Sequence, residues 1–213
     1  ANIGLPFTRM ADLSETAIAM PDNPSPEELS LYLTVLGRMG EATGYPALRH
    51  TVVSHLDIEK SSSKDIIAVG SGNSQSLISK WKDSLPMVTV DGDRRVREHR
   101  ATWRTTYRWA QDDITSKPNP PGNLQISGNS SLSTIMGFES PMQSGRSVVF
   151  LYADKSADLR KVSDLLSDSD RITGIQGDFV VVDDKSIAHV KASETYFVGS
   201  LPWLSKVRWF FSD

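Results

Sequence analysis

At 213 residues, 38% hydrophobic and 23% charged, the chain carries enough apolar material for one good core with attached segments, which excludes disorder throughout. A net charge of −3 gives no global attraction to nucleic acid or anionic lipid, so a partner of either kind needs a local patch. With no cysteine, disulfides, thiol catalysis and thiolate metal sites are excluded, but no compartment is chosen. The chain opens without a basic-then-apolar leader and has no run of about 18 apolar residues. Both of its ends read as cut from a longer polypeptide.

In chain order, residues 1–24 carry Pro6, Pro21 and Pro24 and irregularly spaced Phe7, Met10, Leu13 and Ile18, a pattern that predicts an extended lead. Ser25-Pro26-Glu27-Glu28 is a capping box with proline at the first helical position, so a helix starts there. Leu29, Leu33, Leu36 and Met39 or Gly40 mark its expected buried face, and Gly44-Tyr45-Pro46 ends it. A short strand at His50 to Ser54, a polar loop from Asp57 to Lys64 and a buried strand at Ile66 to Val69 follow. Gly70-Ser71-Gly72-Asn73 then forms a tight corner into a helix from Ser74 to about Trp81 that buries Leu77, Ile78 and Trp81, and Met87 to Val90 is the next strand.

From Asp91 the character changes. Arg94, Arg95, Arg97, Arg100, Arg104 and Arg108 interleave with Trp103, Tyr107 and Trp109, predicting an amphipathic helix with a basic face, unless its first residues turn a hairpin at Asp91-Gly92. Lys117 to Gly122, with Pro118, Pro120 and Pro121, reads as a linker or surface loop. Ser127 to Ser133 and Met136 to Pro141 read as turn-rich, Ser147 to Tyr152 as a central strand, and Leu159, Val162, Leu165 and Leu166 as the apolar side of a helix. Arg171 to Gln176, Asp178 to Val182 and Ser186 to Ala192 read as β-segments. The tail, 201–213, places Trp203, Leu204, Val207, Phe210 and Phe211 on one side of a helix opened by Leu201 and Pro202 and widened by Trp209, which suits either a membrane interface or docking on the domain itself.

Three features bear on chemistry. The Gly70 to Asn73 corner offers backbone N–H groups to a phosphate, or is a turn that needs positive φ. Asp91-Gly92-Asp93 after a strand is either a metal-holding D-x-D of the glycosyltransferase kind or a turn. The four histidines, His50, His55, His99 and His189, have no ligand spacing, and no G-x-S-x-G is present. The residues themselves thus assign no catalytic group, no cofactor and no metal, and no nucleic-acid module is recognised.

The stretches Leu5 to Ser14, Thr43 to Ala47, Met136 to Pro141 and Tyr196 to Trp203 together resemble the periplasmic B subunit of bacterial cellulose synthase, over nearly the whole chain. The resemblance implies that subunit's last, flavodoxin-like α/β domain: a central sheet flanked by helices over 25–200, then an amphipathic helix preceding a transmembrane anchor. It implies a non-catalytic role beside the catalytic A subunit on the periplasmic side of the inner membrane, with nascent cellulose and further copies as other candidate contacts. By the same resemblance Leu201, Pro202, Trp203, Leu204, Val207, Trp209, Phe210 and Phe211 face lipid and the A subunit, and the glycine corner holds no flavin. Cyclic-di-GMP, a cytosolic messenger, is not assigned to a periplasmic domain. The Arg94 to Trp109 segment fits the family pattern least.

Overall fold

The computed structural model describes residues 6–72, 74–90, 93–96, 125–126, 131–183, 186–190, 192, 196, 198 and 199. Its centre is a seven-stranded mixed sheet built from β1 (Thr16–Met20), β2 (Thr51–Ser54), β3 (Asp65–Gly70), β7 (Ser133–Glu139), β8 (Ser147–Ala153), β9 (Phe179–Val182) and β10 (Ile187–Val190). The order across it is β10-β9-β7-β8-β3-β1-β2. Strands β2, β1, β3 and β8 run parallel, while β7, β9 and β10 close the other side antiparallel. A separate antiparallel sheet joins β4 (Met87–Val90), β5 (Asp93–Val96) and β6 (Gln125–Ile126).

Helices cover both faces, which is why the inner strands read as unbroken apolar runs. Helix α1 (Pro26–Thr43) connects β1 to β2 and packs beside α3 (Leu159–Ser167), where the Thr34 and Ser163 hydroxyls hydrogen-bond at 2.9 Å. Under them, Ile18, Met20, Ile67, Val69 and Leu151 meet Leu31, Val35, Leu159, Val162 and Leu165. Because alternate strand residues point to opposite faces, Ala17, Ala19, Ile66, Ala68 and Phe150 face the other way, toward α2 (Gln75–Trp81). Trp81 anchors that side, set edge-on to Phe138 and Phe150 at centroid distances of 5.6 and 6.0 Å.

Several expectations are corrected here. Residues 16–20, placed in the extended lead, form β1, fully buried between β2 and β3, so the α/β domain begins ahead of residue 25. Helix α1 has the expected cap but turns Glu28, Leu31 and Val35 inward, with Leu36 and Met39 at the margin, leaving Leu29 and Leu33 45% and 63% exposed. The leucine stripe is real. Its Leu29 and Leu33 lie on the flank of the helix, while Leu31 and Val35 face the core cluster that holds Ile18 and Ile67.

The Ser127 to Pro141 region contains β7, hidden by Gly137 at its middle and by the polar residues Ser133, Thr134 and Glu139 at its ends. Arg171 to Gly174 is a 3₁₀ turn and not a β-segment, and the Asp57 to Lys64 loop holds another, Ile58–Ser61, with Ile58 fully buried. Asp93–Val96 pairs with Val90–Met87, so the hairpin reading holds there and the helical one fails; residues 97–109, like the Lys117 to Gly122 linker, lie outside the described residues.

Among the described residues no hydrogen-bond acceptor meets the buried Trp81 Nε1. Trp81→Ala is therefore expected to cost about 3–5 kcal/mol through the lost rings and the cavity. Trp81→Phe, which keeps an edge-on ring and loses no hydrogen bond, should cost clearly less, as read from urea midpoints of the two variants.

Candidate functional site

In an open parallel sheet the ligand crevice lies beyond the carboxyl ends of the strands, where the connections leave in opposite directions. Here that point falls between β1 and β3: the chain goes from β1 through α1 to β2 on one side, while β3 lies on the other. The crevice is walled by the Pro21 to Ser25 segment with the α1 N-terminus, and by the Gly70 to Ser74 corner. The partial positive charge of an α-helix N-terminus and its free N–H groups are what attract a ligand anion to such a place.

The position is taken by the chain's own carboxylate. Glu28, only 3% exposed, accepts the Ser25 N–H on one oxygen at 2.7 Å and the Ser71 hydroxyl on the other at 2.8 Å, while the Ser25 hydroxyl accepts the Glu28 N–H at 3.2 Å. A phosphate about 4 Å from this carboxylate would meet a repulsion on the order of 4 kcal/mol at a protein-like dielectric, against the 1 kcal/mol or so that a helix end returns.

The two glycines serve this closure. Neither Gly70 nor Gly72 has a positive φ, which corrects the expectation that the turn needs one. What they supply is close approach: a Cβ on Gly70 would lie 2.1 Å from Ser74 Oγ, and one on Gly72 would lie 2.6 Å from the Asp154 carbonyl oxygen. The corner is thus pressed against the end of β8. There Asp154 accepts hydrogen bonds from Arg94 at 2.5 Å and from the Leu132 N–H at 2.8 Å, tying the small sheet to the large one. Burial, then the charge of Asp154, pushes the Tyr152 phenol up to about 12, so it stays a donor toward that carboxylate.

His55 closes the floor. It is buried, with Nε2–H donating to the Val69 carbonyl at 3.0 Å. Burial holds its pKa below the ordinary 6.5, against the opposing pull of the Val69 and Ala19 carbonyls and of the Glu28 and Asp22 charges. His50 is likewise engaged, donating from Nδ1 to the Ala47 carbonyl and accepting from Tyr32 at 2.8 Å each, and His189 is exposed on β10. Among the described residues no cluster of His, Asp and Glu could hold a metal ion. Asp93 opens β5 opposite Val90, as a hairpin requires; Asp91, Gly92 and His99 lie outside the described residues.

So do the tail residues Leu201, Pro202, Trp203, Leu204, Val207, Trp209, Phe210 and Phe211. The approach to them is described: the Tyr196 hydroxyl donates to Ser147 Oγ at 2.9 Å, and the Gly199 N–H donates to the Gly145 carbonyl at 2.7 Å. Sequence reasoning took Glu28 for a cap alone. Its second partner is Ser71, a buried serine set between two glycines.

Compared with known proteins, residues 1–151 match the family model described as cellulose synthase BcsB, second FD domain. This chain belongs to the BcsB family. It is 36% identical over 208 residues, 97% of its length, to a protein of Pseudomonas fluorescens (strain SBW25) named cyclic di-GMP-binding protein, and 34% identical over 225 residues to one of the same name from Xanthomonas axonopodis pv. citri (strain 306). It spans 27% of the length of each of these curated relatives. It also matches cellulose synthase 1 of Komagataeibacter xylinus at 26% identity, over 96% of this chain and 13% of that one.

Glu28→Ala should lower unfolding stability by about 1–3 kcal/mol by stranding Ser71 and the cap N–H, with Glu28→Gln losing less, in chemical denaturation. Because the folded state holds His55 below its unfolded pKa, the unfolded chain binds the extra proton. Stability is therefore complete above the ordinary histidine range and falls as pH drops through about 6.5 toward the folded value. Urea midpoints taken from about pH 7.5 to 5.5 should show this fall, and His55→Asn should flatten it.

Proposed function

We propose that this chain is the C-terminal, flavodoxin-like domain of a non-catalytic cellulose synthase subunit. In this reading it stands on the periplasmic side of the inner membrane, supports the catalytic A subunit and assists export of the glucan. The observation that carries the proposal is a crevice of the doubly wound type filled by Glu28, in a member of a family whose model bears the name of cellulose synthase. The parallel strand order β2-β1-β3-β8 is that of flavodoxin-like sheets; the antiparallel β7, β9 and β10 extend it. The match to a stretch within a polypeptide named cellulose synthase 1 supports a place beside the synthase, since parts that work together are found on one chain.

Relatives bear the name cyclic di-GMP-binding protein, but a dinucleotide at this corner would set its phosphates against Glu28 and Asp154. We assign the corner no nucleotide and no flavin. The tail, 201–213, is the interface helix, with Leu201, Pro202, Trp203, Leu204, Val207, Trp209, Phe210 and Phe211 meeting lipid and the A subunit.

Deleting residues 202–213 is expected to reduce both vesicle binding and cellulose output of the assembled complex; unchanged output and binding would remove the tail from the mechanism. Cyclic-di-GMP or FMN is expected to leave the thermal midpoint of the purified chain where it was, and a rise with either would favour a nucleotide site instead.

A further inference from the structure

We propose that the chain just after β10 is a strain-relief strap, closed by a backbone clasp between Gly145 and Gly199, which passes any pull on residues beyond 199 to β8 in the middle of the sheet. The edge hairpin β9–β10 is thereby kept out of the path of the force. Topology creates the need. Strand β10 stands at the border of the sheet, paired among the described residues with β9 alone, through Ile187 to Val190. Border elements are where local opening begins, and a tether joined straight to Val190 would open that ladder one pair at a time.

The chain leaves the border at once. The Asp178 N–H donates to the Val190 carbonyl at 3.3 Å, Asp178 Oδ1 accepts the Ala192 N–H, and the Asp178 carbonyl accepts the Gly137 N–H at 2.7 Å, so the first residues after β10 are tied to the start of β9 and to β7. The Tyr196 hydroxyl then donates to Ser147 Oγ at 2.9 Å, and the Gly199 N–H donates to the Gly145 carbonyl at 2.7 Å. Ser147 is the first residue of β8. In the order β10-β9-β7-β8 the strap has crossed three strand spacings, about 14 Å in all.

Strand β8 is a different anchorage. It is paired on both sides, with β7 from Ser147 to Ala153 and with β3 from Val148 to Tyr152. Arg146 beside it reaches Glu15 at 3.1 Å and Asp65 at 3.2 Å, and the Ser147 N–H donates to Asp65 at 2.8 Å, adding the starts of β1 and β3. Pull along β8 loads both ladders in shear, where many hydrogen bonds must fail together. The clasp itself admits only glycine at 145. Gly145 and Gly199 have φ of +80° and +101°, and a Cβ on Gly145 would lie 2.5 Å from the Gly199 carbonyl oxygen, so a side chain there forces the two backbones apart. The coupling is the same whatever residues 201–213 touch.

The cysteine-free chain accepts handles at chosen points. Leu56→Cys, 73% exposed beyond the end of β2, and a cysteine appended after Asp213 suspend the full chain between two beads in optical tweezers. Forced unfolding reads the barrier of whichever step yields first. The parent chain is expected to unfold in one step with no smaller release before it. Gly145→Val should add an early release at several-fold lower force, lengthening the chain by up to about 45 Å as residues 187–199 are drawn out. An early low-force release in the parent overturns the proposal, because the border is then already in the path. So does Gly145→Val unfolding in one step, whether at the parent's force or, as general weakening would give, at a lower one. If Gly145→Val does not refold between pulls, Gly199→Ala, whose strain falls on the strap itself, carries the same expectation and the same overturning outcomes.

Discussion

The arrangement at the carboxyl ends of the strands depends on one buried carboxylate with both oxygens hydrogen-bonded. Glu28 is held by a backbone N–H, a hydroxyl and the positive end of α1. A carboxylate removed from water survives only where such groups replace its hydration. That requirement fixes the distance between the helix start and the β3 corner, and so fixes how open the crevice can be. The glycines, the short hydroxyls and the bulk of Asp154 behind them all follow from it.

The other end of the sheet is organised by a second buried acid of a different kind. Asp65, 1% exposed, receives the Ser147 N–H at 2.8 Å and the Arg146 guanidinium, which also reaches Glu15. The loops ahead of β1, β3 and β8 are thereby tied to one another through a single arginine. One end is closed by an anion with helix and hydroxyl donors, the other by an ion-pair network, and the core between them has no polar task. Both rims are thus cross-linked by side chains that span several strand ends.

How much of this was legible in the sequence depended on whether a segment's role was local. The α1 cap, the 159–167 helix, the 147–153 strand and the β4–β5 hairpin each declare themselves in a few consecutive residues, and each is where the pattern put it or, at the hairpin, where its second reading put it. Strand β1 did not, because its Ala17 and Ala19 carry no β-branched or aromatic signal and it is a strand only by virtue of its two neighbours. The buried side of α1 was misread for the opposite reason: Leu29 and Leu33 form a good stripe, but which stripe faces the sheet is decided by Glu28, a residue that burial statistics place outside. The site was legible as a corner and illegible as a plug, since Ser71 and Glu28 lie 43 positions apart and only the fold brings them together.

The placement of β1 has a consequence for the life of the domain. Of the seven strands of this sheet the earliest in sequence, β1, is an interior plank, flanked by two strands that are made after it, so neither flank can be laid down in its final place until that earlier segment is waiting there. Its pairings with β2 and β3 bridge loops of tens of residues, closures that come slowly compared with a hairpin such as β4–β5. Trimming the amino terminus back to the α1 cap would remove a board from the middle of the floor and leave raw edges on both sides of the gap.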